Sequence, residues 1–152
     1  MNEKLIRSFV AGVIGGIVKD AFDFISYYVL HFVNYRYLDF AAQIIYGSKP
    51  KFWWDSLFAQ FIELIFCGFL GVIYYAVIPK ETNKNYLIKG WLYGVFIWLF
   101  LHTMGMIYKI PYFTKTSWQT TNSDFITGSI YGIVLAWSLR LLDKKYEQEG
   151  QV

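Results

Sequence analysis

Four apolar stretches, separated by short polar breaks, divide this chain. They run over about 5–33, 52–78, 86–108 and 124–142. A helix of about 20 apolar residues covers a hydrocarbon core of about 30 Å, so each stretch is long enough to span a bilayer. The first is longer than needed and is expected to tilt, protrude or kink near Gly15-Gly16. Pro79 is expected to end the second, and the third stops before Pro111. Residues 35–46, between the first two stretches, are only moderately apolar. Leu38, Ala41, Ala42 and Ile45 recur there at helical spacing, which predicts a short amphipathic helix in the membrane interface. Gly47-Ser48-Lys49-Pro50 then breaks it. The pattern predicts an all-α fold. It is a four-helix transmembrane bundle in one domain, with a short interfacial helix between spans 1 and 2.

The polar residues inside these stretches fall on stripes. In span 1, Ser8, Gly12, Gly16, Lys19, Asp23 and Ser26 step by four and three, the face that a bundle helix turns inward. Lys19 and Asp23 are four apart and within direct reach of one another. Asp20 sits about 100° around the helix and is expected to meet a neighbouring helix or a water pocket. In span 2, Ser56, Gln60, Glu63, Cys67 and Gly71 form a similar stripe. Counting from the span ends, Glu63 is about 16 Å deep and Lys19 about 21 Å deep from the opposite side. The two depths overlap near the midplane. Lys19, Asp20, Asp23, Gln60 and Glu63 are therefore the expected intramembrane polar cluster. A charge at the bilayer centre costs roughly 2.5–3.5 kcal/mol on insertion scales, so these groups need partners, water or a task.

Further candidates are His31, His102 and Asp124. His102 lies about 24 Å from the inner end of span 3, in its outer half. His31 falls where the headgroups begin, near Asn34 and Arg36. Two histidines on different helices can ligate a heme, which is kept as a minor alternative together with a quinone site near His102 and Trp98. Otherwise no cofactor and no metal are expected. Asp124, at the outer end of span 4, is expected to cap that helix. Glycines four apart (Gly12/Gly16, Gly90/Gly94 and Gly128/Gly132) let helices approach closely in lipid and are the expected packing positions.

Composition agrees with the pattern. Of the 152 residues, 56% are hydrophobic and 16% charged, and a soluble fold of this length cannot hide so much apolar surface. The net charge of +3 comes without a basic run, so nucleic acid is not an expected partner. Lone Cys67 allows no intrachain disulfide. The first stretch leads into Lys19-Asp20 rather than a small-residue cleavage site, and is read as part of the mature chain.

Orientation follows from basic residues near the span ends. One side holds Lys4, Arg7, Lys80, Lys84, Lys89, Arg140, Lys144 and Lys145; the other holds Arg36, Lys49, Lys51, Lys109 and Lys115. The larger set belongs in the cytoplasm, which places both termini there, in a multi-pass protein of the cell membrane. The opposite side carries Tyr35, Tyr37, Tyr46, Phe52, Trp53, Trp54, Tyr112, Phe113 and Trp118, read as an aromatic belt.

No H-E-x-x-H, G-x-S-x-G, P-loop or C-x-x-C occurs, and Asp20 and Asp23 share one helix where an aspartyl dyad needs opposed carboxylates. An enzyme is not expected. The leading expectation is a structural or interaction subunit in the bilayer. It forms homo-oligomers through its glycine faces or joins a larger membrane complex. The alternative is a small proton- or ion-linked transport or channel component. The run Ala11-Gly12-Val13-Ile14-Gly15-Gly16-Ile17-Val18-Lys19-Asp20, with Tyr37-Leu38-Asp39-Phe40-Ala41-Ala42 beyond it, resembles uncharacterised small four-span integral membrane proteins of bacteria. That resemblance covers the first third of the chain. It implies no activity and carries over no functional residue.

Overall fold

The helical periodicity of the sequence becomes six helices in the computed structural model, which describes residues 3–78 and 85–149. No strand occurs among the described residues. Pro79, expected to end the second span, and Lys80 and Lys84, counted for orientation, lie outside them. Helix α1 (Glu3–Phe24) continues through Gly15-Gly16. Its irregularity comes later, as a π-helical turn at Ile25–Val29. Short α2 (Tyr37–Tyr46) follows, then α3 (Trp53–Val77), α4 (Tyr86–Ile107), α5 (Pro111–Thr114) and α6 (Trp118–Glu149).

Local chemistry sets several of these limits. The Asp39 carboxylate accepts the Arg36 backbone N–H at 2.8 Å and the Arg36 guanidinium at 2.9 Å, closing the first turn of α2. Gly47 ends α2 with φ +70°, a left-handed conformation that any side chain would disfavour. Asp55 accepts the Lys51 and Phe52 N–H groups, both at 3.1 Å, at the start of α3. Pro111 sits at the first position of α5, where its missing N–H costs nothing.

The last helix differs from expectation. It starts at Trp118, six residues before Asp124, and runs to Glu149. Asp124 is therefore buried inside the helix and does not cap it.

Three helices, α3, α4 and α6 (over Trp118–Tyr146), are long and apolar enough to cross a membrane. Helix α1 has 22 residues but carries Arg7, Lys19, Asp20 and Asp23 and is not among them. It nonetheless lies centrally. The packing order is α3, α1, α6, α4, with α2 against α3 and α5 bridging α4 and α2. Helices α3 and α4, at the two ends of this arc, are not packed along their lengths.

Burial is inverted relative to a water-soluble protein. Phe61, Phe69, Leu92, Phe96, Leu99, Ile126 and Trp137 are exposed, whereas Ser8, Lys19, Asp20, Glu63, Thr127 and Ser138 are buried. Large apolar side chains on the outside and polar groups inside accord with helices long and apolar enough to cross a membrane.

Glycines make the central contacts. A Cβ on Gly12 would overlap the Cys67 carbonyl, and one on Gly71 the Ser8 carbonyl, so α1 and α3 touch backbone to backbone. Gly94 faces the Gly128 carbonyl and Gly132 the Gly90 carbonyl in the same way, between α4 and α6. Gly16 packs on Cys67. All six expected packing glycines are thus used within one chain, and none is left as an open face for a second copy. We expect Gly94→Leu to cost about 1–3 kcal/mol by wedging α4 from α6. Gly47→Ala, which adds backbone strain but meets no neighbour, should cost about 1–2 kcal/mol. Thermal unfolding in detergent micelles separates the two cases. If α4 and α6 are held as described, only Gly94→Leu should also loosen Trp98, read from its fluorescence in a single-tryptophan background.

Candidate functional site

The polar stripes of α1 and α3 meet at Lys19. Its ammonium lies 2.5 Å from Glu63 Oε1 and 2.8 Å from Asp20 Oδ1. The ring of Tyr37, from α2, covers it with the centroid 3.7 Å from Nζ. Gln60 Nε2 donates to Asp20 Oδ2 at 2.5 Å, with a longer contact of 3.4 Å to Glu63 Oε2. The Cys67 thiol donates to Glu63 Oε1 at 3.2 Å. Lys19 is 4% exposed, Asp20 6% and Glu63 6%, so these bonds substitute for water.

Lys19, Asp20, Gln60 and Glu63 are therefore brought together, with one correction inside the set. Asp23 is not the ion-pair partner of Lys19. Its Oδ2 accepts the Tyr37 backbone N–H at 2.8 Å, satisfying one of the helix-start donors of α2 that have no partner within the helix. Its Oδ1 has no hydrogen-bond partner among the described residues. Asp20 and Glu63 hold the lysine instead.

A second network extends from Tyr37. Its hydroxyl donates to the Asp124 carbonyl at 2.9 Å. The Asp124 carboxylate accepts the Tyr112 hydroxyl at 3.0 and 3.1 Å. Gln43 accepts the Tyr112 N–H at 2.6 Å. Burial, reinforced by Asp124, pushes the phenols of Tyr37 and Tyr112 well above the usual tyrosine range, so both stay neutral donors. The belt reading of these two residues is corrected: Tyr112 is 1% exposed, and both tie α2 and α5 to α6.

The histidines stand apart from the Lys19 network. His31 is exposed with φ 48°, in the link to α2. His102 stacks on Trp98 with ring centroids 5.6 Å apart and meets Phe113 edge-on at 5.2 Å. Its Nδ1 has no hydrogen-bond partner among the described residues.

A cavity of about 340 Å³ lies beside the cluster, between α2, α3, α4 and α6. Lys19, Glu63 and Cys67 form part of its wall, but almost all of the wall surface is apolar. Pattern reading missed this cavity, and also missed Tyr37 as the cover of Lys19. The only sequence signal for the cover was a tyrosine two residues into the amphipathic stretch.

Comparison with known proteins adds no function: no family model, no curated protein and no solved structure matches the chain.

The ion-pair assignment has a direct test. Lys19→Met should destabilise by about 3–5 kcal/mol, because it strands two buried carboxylates. Adding Glu63→Gln should recover part of that loss, while adding Asp23→Asn should not. Thermal unfolding of the three variants in one detergent decides it. Recovery with Asp23→Asn alone would return Asp23 to the role of partner.

Proposed function

We propose that the chain is an integral membrane protein with α1 as a fourth span, and that its Lys/Asp/Glu cluster is a structural tie. On this reading it acts as a structural or interaction subunit in the bilayer, with both termini on the cytoplasmic side. One observation carries it. The Lys19 ammonium is saturated by Glu63, Asp20 and the Tyr37 ring, and Gln60 links the two carboxylates. A group held this way is a fixed joint between α1, α2 and α3. The central place of α1 supports the fourth span, since lipid-exposed apolar helices flank it through α3 and α6. Saturated charges can cross a bilayer interior inside a bundle.

A second reading, proton- or ion-linked transport, draws on the unpartnered Asp23 Oδ1, a buried acceptor with unused capacity. It ranks below the first because the groups around Lys19 leave no comparable free site.

Both parts are testable in vesicles. Lys4→Cys and Lys49→Cys, each made with Cys67→Ala, replace exposed lysines in the first turn of α1 and in the α2–α3 link beyond its other end. A fourth span requires them to label from opposite sides with a membrane-impermeant maleimide; labelling from one side excludes it. In proteoliposomes under an imposed pH gradient, the wild type should leak no faster than empty vesicles. A wild-type flux abolished by Glu63→Gln or Asp23→Asn would replace the tie with a relay.

A further inference from the structure

The cavity beside Lys19 is partly open and is bounded by α2 and by a bridge between α3 and α4. Helix α2 covers one end with Phe40 and Ile44. At the other end the Tyr93 hydroxyl of α4 donates to the Leu70 carbonyl of α3 at 2.6 Å. The rings of Tyr74 and Tyr93 also meet there, with centroids 5.1 Å apart. Between these two closures α3 and α4 stand apart, with Ile62 and Phe66 on one edge and Ile97 and Leu101 on the other. Phe66 on the first edge is exposed, as are Phe69 on α3 and Phe96 and Phe100 on α4, an apolar surface that lipid would cover.

We propose that this cavity takes the hydrocarbon tail of a membrane lipid, entering sideways from the bilayer between α3 and α4. The proposal rests on the reading of the chain as membrane-embedded. Three observations select that occupant. The wall offers almost no polar surface, because Lys19 and Glu63 turn their charged ends to one another, and a water needs two to four polar partners to stay. The bridge from Tyr93 to Leu70 blocks the gap lengthwise, so a partner's spanning helix has no passage through it. The volume of about 340 Å³ lies within the range of about 300–1,000 Å³ typical of small-ligand pockets, and a flexible chain fills such a space without a fixed shape. A tail placed there lies against the Lys19–Glu63 pair and keeps water from it.

Fluorescence quenching by brominated acyl chains tests this. Trp98 lines the cavity, and Trp137 is half-exposed on α6 outside it. Single-tryptophan proteins retaining one or the other, with the remaining tryptophans changed to Phe, are reconstituted in vesicles of bromo-acyl phosphatidylcholine. Trp98 should be quenched to an extent comparable with Trp137. Filling the cavity with Ile97→Phe and Leu101→Phe should remove most of the Trp98 quenching and leave Trp137 unchanged. Trp98 shielded while Trp137 is quenched would overturn the proposal, whether the cavity is dry or covered by a second copy. Quenching of Trp98 that survives filling would overturn it too, since the bromines would then act from outside. Loss of quenching at Trp137 itself would mark failure of the membrane-embedded reading instead.

Discussion

A single buried ammonium organises much of this molecule. Lys19 cannot stay charged at 4% exposure unless neighbouring elements supply anions and donors in fixed places. Helix α1 provides Asp20 itself; α3 provides Glu63 and Gln60, and α2 provides the Tyr37 ring. Those contacts set the register of α1 against α3 and the seat of α2. Asp23 then reaches the first N–H of α2, and Tyr37 continues to Asp124 on α6. Breaking the joint at Lys19 therefore releases more than one helix.

The glycines make that joint geometrically possible. Lipid tails are as apolar as leucine, so helices in a bilayer gain little from burying leucine against leucine. Close backbone approach at Gly12 and Gly71, and at Gly90, Gly94, Gly128 and Gly132, brings dispersion contacts instead. It also holds Lys19 and Glu63 at bonding distance, since both lie on the helix faces that carry the α1–α3 contact. Using these glycines inside the chain leaves bulky residues outside, among them Phe61, Phe69 and Trp137.

Much of the plan was legible in the pattern. The apolar stretches fell at 52–78 and 86–108 where α3 and α4 stand, and of Leu38, Ala41, Ala42 and Ile45, whose spacing predicted one side of α2, the first three are buried and Ile45 is exposed. Helical periodicity also put Lys19, Gln60 and Glu63 on inward stripes, and counting residues matched their depths. What periodicity lacks is knowledge of the neighbour. An i,i+4 spacing permits a Lys19–Asp23 pair, but the Tyr37 N–H, fourteen residues away, takes Asp23. Asp124 looked terminal because the polar run 119–124 resembles a loop. The run is helical and buried in part, with Thr120 accepting the Asn34 N–H and Asp124 accepting the hydroxyls of Tyr37 and Tyr112. Tyr37 and Tyr112 have the composition of a belt, and only tertiary contact distinguishes a belt tyrosine from a strut.

The tie and the cavity follow from one arrangement. Each bond that satisfies Lys19 or Glu63 also withdraws a polar atom from the space between α3 and α4. With the ammonium turned to Glu63 and Asp20, and Glu63 occupied by Cys67 as well, what remains facing that space is hydrocarbon. A cluster built for proton traffic would need the reverse, with unsatisfied carboxylate oxygens pointing into a wet space. Here the unsatisfied oxygen, Asp23 Oδ1, belongs to the carboxylate that holds the start of α2, and Asp23 is not part of the cavity wall. The polar cluster and the apolar space thus have opposite needs, met by turning every charged end in the wall inward. That is why an apolar cavity can lie against a buried ion pair without drawing water to it.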